Sequence, residues 1–257
     1  MSASIATITS RANPLLVRLR KLAADATAYR RQCEVWIEGE HLCRAFVERG
    51  GVPRQAVIAE PAWQDPMLRA LASAAEAVAI VPPAVMSSVS ALESPAPIAF
   101  VIRWTGAGRL RPGIPSVVLD RVQDAGNVGS ILRSAAAFGY MQVIAMPGTA
   151  APWSPKVLRA GQGAHFSLNL VEASDAAVLD GLDVPLVATS SHAAAALGEA
   201  ALPSPCAWVF GHEGQGVSQE LLARCTTTLR IAQPGGQESL NVAAAAAICL
   251  YLGISRG

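Results

Sequence analysis

The chain has 257 residues, of which 52% are hydrophobic and 15% are charged, and its formal net charge is +1. These values exclude a disordered chain and predict a packed globular protein of one large or two modest domains. The longest apolar run, 242–252, is shorter than the roughly 18 residues that a membrane-spanning helix needs. Because the start of the chain shows no signal-peptide pattern and its cysteines form no CxxC pair, we expect a cytoplasmic protein without a disulfide framework or a zinc site.

The first hundred residues show apolar patterning typical of a small α/β module. The pattern predicts a helix over 13–31, a strand at "CEVWIEG", a helix over 40–49 and further strands near "AVIAE", "AVAIV" and "PIAFVI". Residues 1–31 contain six basic residues and one acidic residue. This excess indicates either a solvated helix face or a patch that faces RNA phosphates. The residues predicted to contact RNA are Arg11, Arg18, Arg20, Lys21 and Arg30.

Glycine separates the two parts of the sequence, because residues 1–105 hold only three of the 21 glycines. The stretch 106–115 is rich in Gly, Pro and Arg and is predicted to link a domain over 1–105 to a domain over 116–257. After the linker, short β-branched runs alternate with helical segments, which predicts an α/β domain with a parallel sheet covered on both faces. The last segment, "SLNVAAAAAICLYLG", is apolar nearly all round and is expected to be a buried helix.

The stretch "DAGNVGSILRSAAAFG" follows the predicted strand "SVVLD". We expect a helix here that ends at Phe138, with Asn127 as its N-cap and Gly139 as its C-terminal cap. Arg133 follows Gly129 by four residues, so the two share a helical face. Two interpretations are open: a capped helix with a surface arginine, or a ligand site at the helix start.

Two further glycine loops follow predicted strands. "VFGHEGQGVS" contains Glu213, and "IAQPGGQESLNVAAAAA" contains Ser239 and Asn241. Loops at the carboxyl ends of parallel strands form the binding crevice of such sheets. The sequence has no GxxxxGK[ST] loop, no GxGxxG fingerprint, no GxSxG elbow and no histidine spacing suited to a metal. We therefore expect no metal and neither a P-loop, a dinucleotide nor a hydrolase site.

These three motifs, in this order and spacing, resemble the signature motifs of the SpoU (TrmH-like) RNA 2′-O-ribose methyltransferases of the SPOUT class. "SPKVLRAGQGAHFSL" resembles the segment that connects them, and "ITSRANPLLVRLRKLA" and "WIEGEHLCRAF" resemble the N-terminal substrate-binding domain of the family. The resemblance covers nearly the whole chain. It implies a ribosomal-protein-like RNA-binding domain followed by a SPOUT domain with a deep trefoil knot. It also implies S-adenosylmethionine as cofactor and a homodimer with active sites at the subunit interface.

The resemblance further implies the roles of individual residues. The positions that match the catalytic set are Arg133, Asn127, Glu213, Ser239 and Asn241. The positions that match the cofactor-binding set are Thr189, Gly211, Ile231 and Leu240. For Glu213 the alternative is a loop carboxylate in solvent. For Ile231 and Leu240 it is ordinary core packing, which is compatible with a cofactor contact. One departure is Ala125, where the family usually has a proline that would stiffen the turn.

The sequence therefore predicts an S-adenosylmethionine-dependent methyltransferase that acts on a ribose 2′-hydroxyl of structured RNA. Ribosomal RNA is favoured as the substrate, because the N-terminal part resembles that of members that modify ribosomal RNA. Transfer RNA is the alternative substrate. An inactive RNA-binding or assembly factor of the same fold is the alternative function, and the intact polar motif positions argue against it.

Overall fold

The computed structural model describes residues 4–199, 201–235 and 240–254. The chain forms two compact units: unit 1 comprises Met1–Gly106 and Trp153–Phe166, and unit 2 comprises Ala107–Pro152 and Ser167–Gly257. Residues 153–166 thus belong to unit 1, although unit 2 precedes and follows them in the chain. The predicted domain limits at 1–105, 106–115 and 116–257 stay a prediction.

The described residues form twelve strands, numbered in chain order. They are β1 (Ser4–Thr7), β2 (Glu34–Glu38), β3 (Gln55–Ala59), β4 (Ala77–Val81), β5 (Ile98–Arg103), β6 (Ser116–Leu119), β7 (Gln142–Ala145), β8 (Asn169–Glu172), β9 (Leu186–Thr189), β10 (Ala195–Ala196), β11 (Ala207–Phe210) and β12 (Thr227–Arg230). The predicted strands are present, whereas β1, β8 and β10 were not predicted.

The described residues also form ten α-helices and two 3₁₀ helices, at Ala164–Ser167 and Ala176–Gly181. The α-helices are α1 (Pro14–Ala24), α2 (Ala28–Gln32), α3 (Glu40–Glu48), α4 (Glu60–Trp63), α5 (Pro66–Ala72), α6 (Pro83–Ser87), α7 (Ala125–Ala137), α8 (Pro155–Gly161), α9 (Gln219–Leu222) and α10 (Val242–Ile254). Within the described residues, no helix is long and apolar enough to cross a membrane.

Unit 1 is built on a five-stranded mixed sheet in the order β1-β4-β3-β5-β2. β5 is antiparallel to both β2 and β3, whereas β4 is parallel to β1 and β3. The buried Leu16 and Leu19 of α1 pack in one core cluster with Trp36 of β2 and Val57 of β3. The sequence of α1 therefore places its apolar stripe on the sheet and its basic residues outward.

The single helix predicted over 13–31 is wrong, because the chain breaks it into α1 and α2. Asp25 follows α1, and its carboxylate accepts hydrogen bonds from the Thr27 backbone nitrogen (2.8 Å) and hydroxyl (3.0 Å). A side chain that bonds to the neighbouring backbone offers an alternative to the helical hydrogen bonds. This local turn separates α1 from α2.

Unit 2 is built on a seven-stranded parallel sheet in the order β10-β12-β9-β11-β6-β7-β8. Its central strands are fully buried and read as continuous apolar runs, as expected for a parallel sheet. The predicted fold class, a mixed α/β chain with a mostly parallel sheet, is confirmed.

Helices α7 and α10 pack against each other in unit 2. The expectation that α10 is buried all round is wrong for the single chain. Cys249 and Leu250 are buried, but Ile248, Tyr251 and Ile254 are 38%, 58% and 48% exposed. Helix α10 has no charged residue, so the exposed part of its surface is also apolar.

Candidate active site

The carboxyl ends of four neighbouring strands in unit 2 carry most of the predicted site residues. In the order β12-β9-β11-β6, Ile231 follows β12, Thr189 ends β9, Gly211 follows β11, and the loop after β6 leads into α7. Because the strands are parallel, these ends meet at one edge of the sheet, which is where ligands bind in open α/β folds. The structure therefore brings the residues of separate motifs to one edge.

Helix α7 begins with an aspartate cap. The Asp124 carboxylate accepts a hydrogen bond from the Asn127 backbone nitrogen at 2.8 Å, so Asp124 is the N-cap. The prediction that Asn127 is the N-cap is wrong, because Asp124 satisfies the free backbone N–H of the first turn. The predicted end is confirmed, since Phe138 caps the helix and Gly139 follows with φ +78°. The Asn127 side chain is thereby left for other contacts.

Glu213 receives hydrogen bonds from the start of α7 and from the loop before it. The Asn127 side-chain amide donates to its Oε1 at 3.1 Å, and the backbone nitrogens of Asp124 and Gln123 donate at 3.3 and 3.4 Å. Glu213 is therefore a bound carboxylate and not a loop side chain in free solution. It holds the loop after β11 against the loop after β6.

The hydrogen bonds favour the charged form of Glu213. Partial burial of the carboxyl raises its pKa, but the bonds from Asn127 and from the backbone outweigh this effect and lower the pKa below its ordinary value. Glu213 is consequently an anion at neutral pH that orients its donors.

Asn241 extends this arrangement to a third motif. Its Oδ1 accepts hydrogen bonds from the backbone nitrogens of Ala243 (2.9 Å) and Ala244 (3.2 Å) at the start of α10. Its Nδ2 must then face away from the helix, and it donates to Asn127 Oδ1 at 2.9 Å. Asn127 in turn directs its own Nδ2 to Glu213. The hydrogen bonds thus fix which side of each asparagine amide carries the oxygen and which carries the nitrogen.

Arg133 and Ser239 are not part of the observed cluster. Ser239 lies outside the described residues. Arg133 is exposed on α7, and its side chain makes no hydrogen bond or ion pair with any residue that the structure describes. It follows Asn127 by six residues, so the two side chains project from different faces of the helix. The guanidinium is therefore available to a group from outside the chain.

The loop 211–217 folds back on itself so that Glu213 is presented at its tip. His212 and Gly216 exchange backbone hydrogen bonds of 3.1 and 2.8 Å. His212 Nδ1 accepts from the backbone nitrogens of Gly214 (3.0 Å) and Gln215 (3.2 Å), which closes the turn around Glu213. This role of His212 was not predicted from the sequence. The signal for it is a histidine two residues before a glycine in a short loop, where the ring nitrogen can accept from the backbone of the turn.

Gly211 is required by the same fold. A Cβ atom at this position would lie 2.2 Å from the carbonyl carbon of Gly216 and 2.2 Å from the nitrogen of Val217. The backbone at the start of the loop can approach the backbone at its end this closely only when residue 211 has no side chain.

The residues that match the cofactor-binding set suit a nucleoside. Thr189 and Ile231 are half-buried at adjacent strand ends, and Leu240 is 39% exposed immediately before Asn241. Apolar side chains beside backbone polar groups at strand ends form the usual lining of a nucleoside site. The described part of the chain has no cluster of three or more His, Cys, Asp or Glu side chains that could hold a metal ion.

The predicted RNA-binding residues of unit 1 have different surroundings. Arg11 donates to the Ala84 carbonyl oxygen at 3.2 Å, and Arg20 donates to the Arg11 carbonyl oxygen at 2.7 Å. The Arg30 guanidinium lies 5.3 Å from the centre of the Tyr29 ring.

The other two candidates lie on α1. Arg18 is paired with the buried Glu34 at 3.3 Å, and Arg54 pairs with the same carboxylate at 3.1 Å. Lys21 is exposed, and among the described residues its side chain has no hydrogen-bond or ion-pair partner. Apart from the hydrogen bond between Arg20 and the Arg11 carbonyl oxygen, none of these five residues contacts another through its side chain among the described hydrogen bonds and ion pairs.

Comparison with known proteins shows the family of the chain. Residues 115–251 match the model of the SpoU rRNA Methylase family, which is more than half of the chain and includes all three loops. The chain belongs to this family.

Two relatives of the SpoU chain match it at 31% identity. An uncharacterized tRNA/rRNA methyltransferase of Synechocystis aligns over 98% of this chain and 94% of its own length. A 23S rRNA (guanosine(2553)-2′-O)-methyltransferase of Bacillus subtilis aligns over 84% of this chain and 86% of its own length.

Solved structures match both units. An RNA 2′-O ribose methyltransferase is 32% identical, with a TM-score of 0.80 over 98% of this chain and 99% of that one. The SpoU methyltransferase AviRb from Streptomyces viridochromogenes, in complex with AdoMet, is 26% identical, with a TM-score of 0.86 over 95% of this chain and 97% of that one. The predicted family, the class of RNA 2′-O-ribose methyltransferases and the cofactor S-adenosylmethionine are confirmed.

The fold of the SpoU loop 211–217 can be tested with two glycine substitutions. Gly211→Ala should lower methyl transfer about 10- to 100-fold, because the added Cβ forces the loop backbone apart and withdraws Glu213 from Asn127. Gly214→Ala is the matched control, since its Cβ would lie 3.8 Å from the His212 ring, an ordinary contact. Equal turnover of the two variants in a methyl-transfer assay would contradict this account of the loop.

Proposed function

We propose that the chain methylates a ribose 2′-hydroxyl of ribosomal RNA at the edge formed by Asn127, Glu213 and Asn241. The observation that supports this site most directly is the chain of hydrogen bonds from Asn241 through Asn127 to Glu213. It joins three separate motifs beside the strand ends that we assign to the cofactor. The proposed substrate follows the relative from Bacillus subtilis, whose name gives 23S ribosomal RNA as its substrate. Transfer RNA is the alternative, because the relative from Synechocystis is named a tRNA/rRNA methyltransferase.

The reaction requires alignment and removal of a proton. The cofactor, when bound, supplies an electrophilic methyl group on a sulfonium. A carbon–oxygen bond forms at the ribose 2′-oxygen while the sulfur–methyl bond breaks, and the hydroxyl proton passes to the neighbouring phosphate or to water. Thr189, Gly211, Ile231 and Leu240 would hold the adenosine. Asn127, Glu213, Ser239 and Asn241 would fix the geometry, because a near-attack alignment accounts for much of the rate in such transfers.

Arg133 is proposed to bind the RNA phosphate and to stabilise the charge that develops on the 2′-oxygen. A guanidinium stays protonated in proteins, so Arg133 is not a general base. It is exposed and lies off the face of α7 that carries Asn127. A cation aimed at developing negative charge is the usual form of electrostatic stabilisation in group transfer.

We also propose that the enzyme is a homodimer and that its helix α10 lies at the subunit interface. Ala244, Ile248 and Tyr251 are exposed and follow each other at helical spacing. An apolar stripe of this kind on a soluble protein favours contact with another protein surface. An exposed Arg133 would then serve an active site completed by the partner.

We propose the trefoil knot for unit 2 and a cytoplasmic location on the same family resemblance.

The role of Arg133 can be measured directly. Arg133→Ala should lower turnover about 100-fold or more, because it removes the charge that opposes the developing oxyanion. Its affinity for S-adenosylmethionine in calorimetric titration should stay within about twofold of the wild type. Arg133→Lys keeps the charge but loses the planar fork, and we expect it to recover only part of the activity. Near wild-type turnover of Arg133→Ala would refute the assignment.

The RNA-binding surface of unit 1 can be tested by removing charge in the full chain. The double variant Lys21→Ala/Arg30→Ala should bind ribosomal RNA more weakly. Its plot of log affinity against log salt concentration should be shallower by about 0.7–0.9 for each lost phosphate contact. Arg69→Ala, an exposed arginine on α5, is the matched control. If the control weakens RNA binding as much as the double variant, the surface is placed wrongly.

The dimer can be tested on α10. Ile248→Asp should give a monomer in light scattering, because a carboxylate would be buried at the interface without a partner. Ile5→Asp on β1 replaces a residue that is also exposed (56%) and should leave the dimer intact. A dimeric Ile248→Asp protein would exclude this face as the interface.

A further inference from the structure

Arg121, the second residue after β6, has an unusual backbone conformation. Its φ is +58°, in the left-handed region that residues other than glycine rarely adopt. Such a conformation is unfavourable and persists where the surrounding structure fixes it. An arginine held in this way requires contacts that compensate for the strain.

The Arg121 guanidinium joins the loop after β6 to the loop 211–217. Its Nη1 donates to the Gln215 side-chain oxygen at 2.8 Å, and its Nη2 donates to the Gly216 carbonyl oxygen at 3.3 Å. Its Nε donates to Asp120 Oδ1 at 3.1 Å. All three nitrogens of the guanidinium are therefore used within unit 2.

Asp120, the first residue after β6, binds both Arg121 and the residue that follows the loop 211–217. It is buried (4% exposed), and its Oδ2 accepts a hydrogen bond of 2.6 Å from the Ser218 backbone nitrogen, just after the loop. A buried carboxylate needs both a charge partner and hydrogen-bond donors. Arg121 supplies the charge, and Ser218 supplies a donor. Asp120 and Arg121 thus bind the loop 211–217 at its far end as well as near its tip.

Gly148 leaves the space in which the Arg121 side chain lies. A Cβ at residue 148 would be 3.1 Å from Arg121 Cγ, and Gly148 has φ +88°. Three loops therefore meet around this one side chain: those that follow β6, β7 and β11.

We infer that Arg121 is a positioning residue for methyl transfer, acting through the loop 211–217 to hold Glu213 against Asn127. This inference rests on the proposed function, because it assigns Arg121 to the same site. Arg121 is not assigned to RNA binding, since its N–H groups are directed to Asp120, Gln215 and Gly216. It acts on the reaction only through the geometry of Glu213.

The variant Arg121→Asn tests the positioning role without straining the backbone after β6. Asparagine tolerates the left-handed conformation better than most residues, so the backbone after β6 should keep its shape. The guanidinium contacts to Gln215 and Gly216 are lost. We expect turnover to fall about 10- to 100-fold, as for a misplacement of about 1 Å, and the melting temperature to fall as well, because the buried Asp120 loses its charge partner. Arg111→Asn, an exposed arginine beside the opposite end of the sheet, should behave like the wild type.

A second measurement reports on Glu213 without any activity. In the wild type, hydrogen bonds from Asn127 and the backbone lower the pKa of Glu213, despite partial burial that raises it. In Arg121→Asn the carboxyl resonance of Glu213, assigned with Glu213→Gln, should titrate closer to the ordinary value. Gln215→Ala removes only an exposed side-chain contact of Arg121, so the protein should stay folded. We expect this variant to shift the titration of Glu213 in the same direction.

The outcomes separate this inference from the proposed function. If the wild type transfers no methyl group to RNA, the proposed function fails, and the titration of Glu213 still decides the role of Arg121. If Arg121→Asn and Gln215→Ala leave both the Glu213 titration and the turnover unchanged, the positioning role is overturned. A loss of turnover in Arg121→Asn with an unchanged Glu213 titration would also overturn it, because Arg121 would then act by another route.

Discussion

The carboxylate of Glu213 is the interaction on which the candidate site depends. It lies in the loop after β11 and accepts a hydrogen bond from Asn127 at the start of α7. Asn127 in turn accepts a hydrogen bond from Asn241 at the start of α10. Each member has one orientation that satisfies its neighbours, because Asn241 Oδ1 is occupied by the first turn of α10. The Asn127, Glu213 and Asn241 side chains thus orient one another.

The arginines of the chain illustrate how similar residues serve different purposes. Arg121 directs its N–H groups into the protein and is ordered by them. Arg18 is paired with a buried carboxylate. Arg133 is exposed, with no ion pair among the described residues, and is suited to a group that arrives from outside. The charge of an arginine does not decide its role; the acceptors within reach of its guanidinium do.

The sequence predicted most of the fold and the motifs of the site, for identifiable reasons. Buried strands leave apolar runs, and glycine loops mark the strand ends, so the meeting of three loops at one edge was predictable. The cap at Asp124 was not, because Asp124 and Asn127 are both good caps and only the contact with Glu213 decides between them. The break at Asp25 depended on a local side-chain turn. The hydrogen bonds from Arg121 to Gln215 and Gly216 join residues about 95 positions apart in the sequence, and no local pattern reveals such contacts.

The grouping of residues 153–166 with unit 1 has a consequence for synthesis of the protein. Helix α8 packs against α1 and β2, and its Val157 and Leu158 are fully buried. A nascent chain that has left the ribosome only as far as residue 152 still exposes the surface that α8 will cover. Unit 1 can therefore be completed only after the first part of unit 2, residues 107–152, has been synthesised.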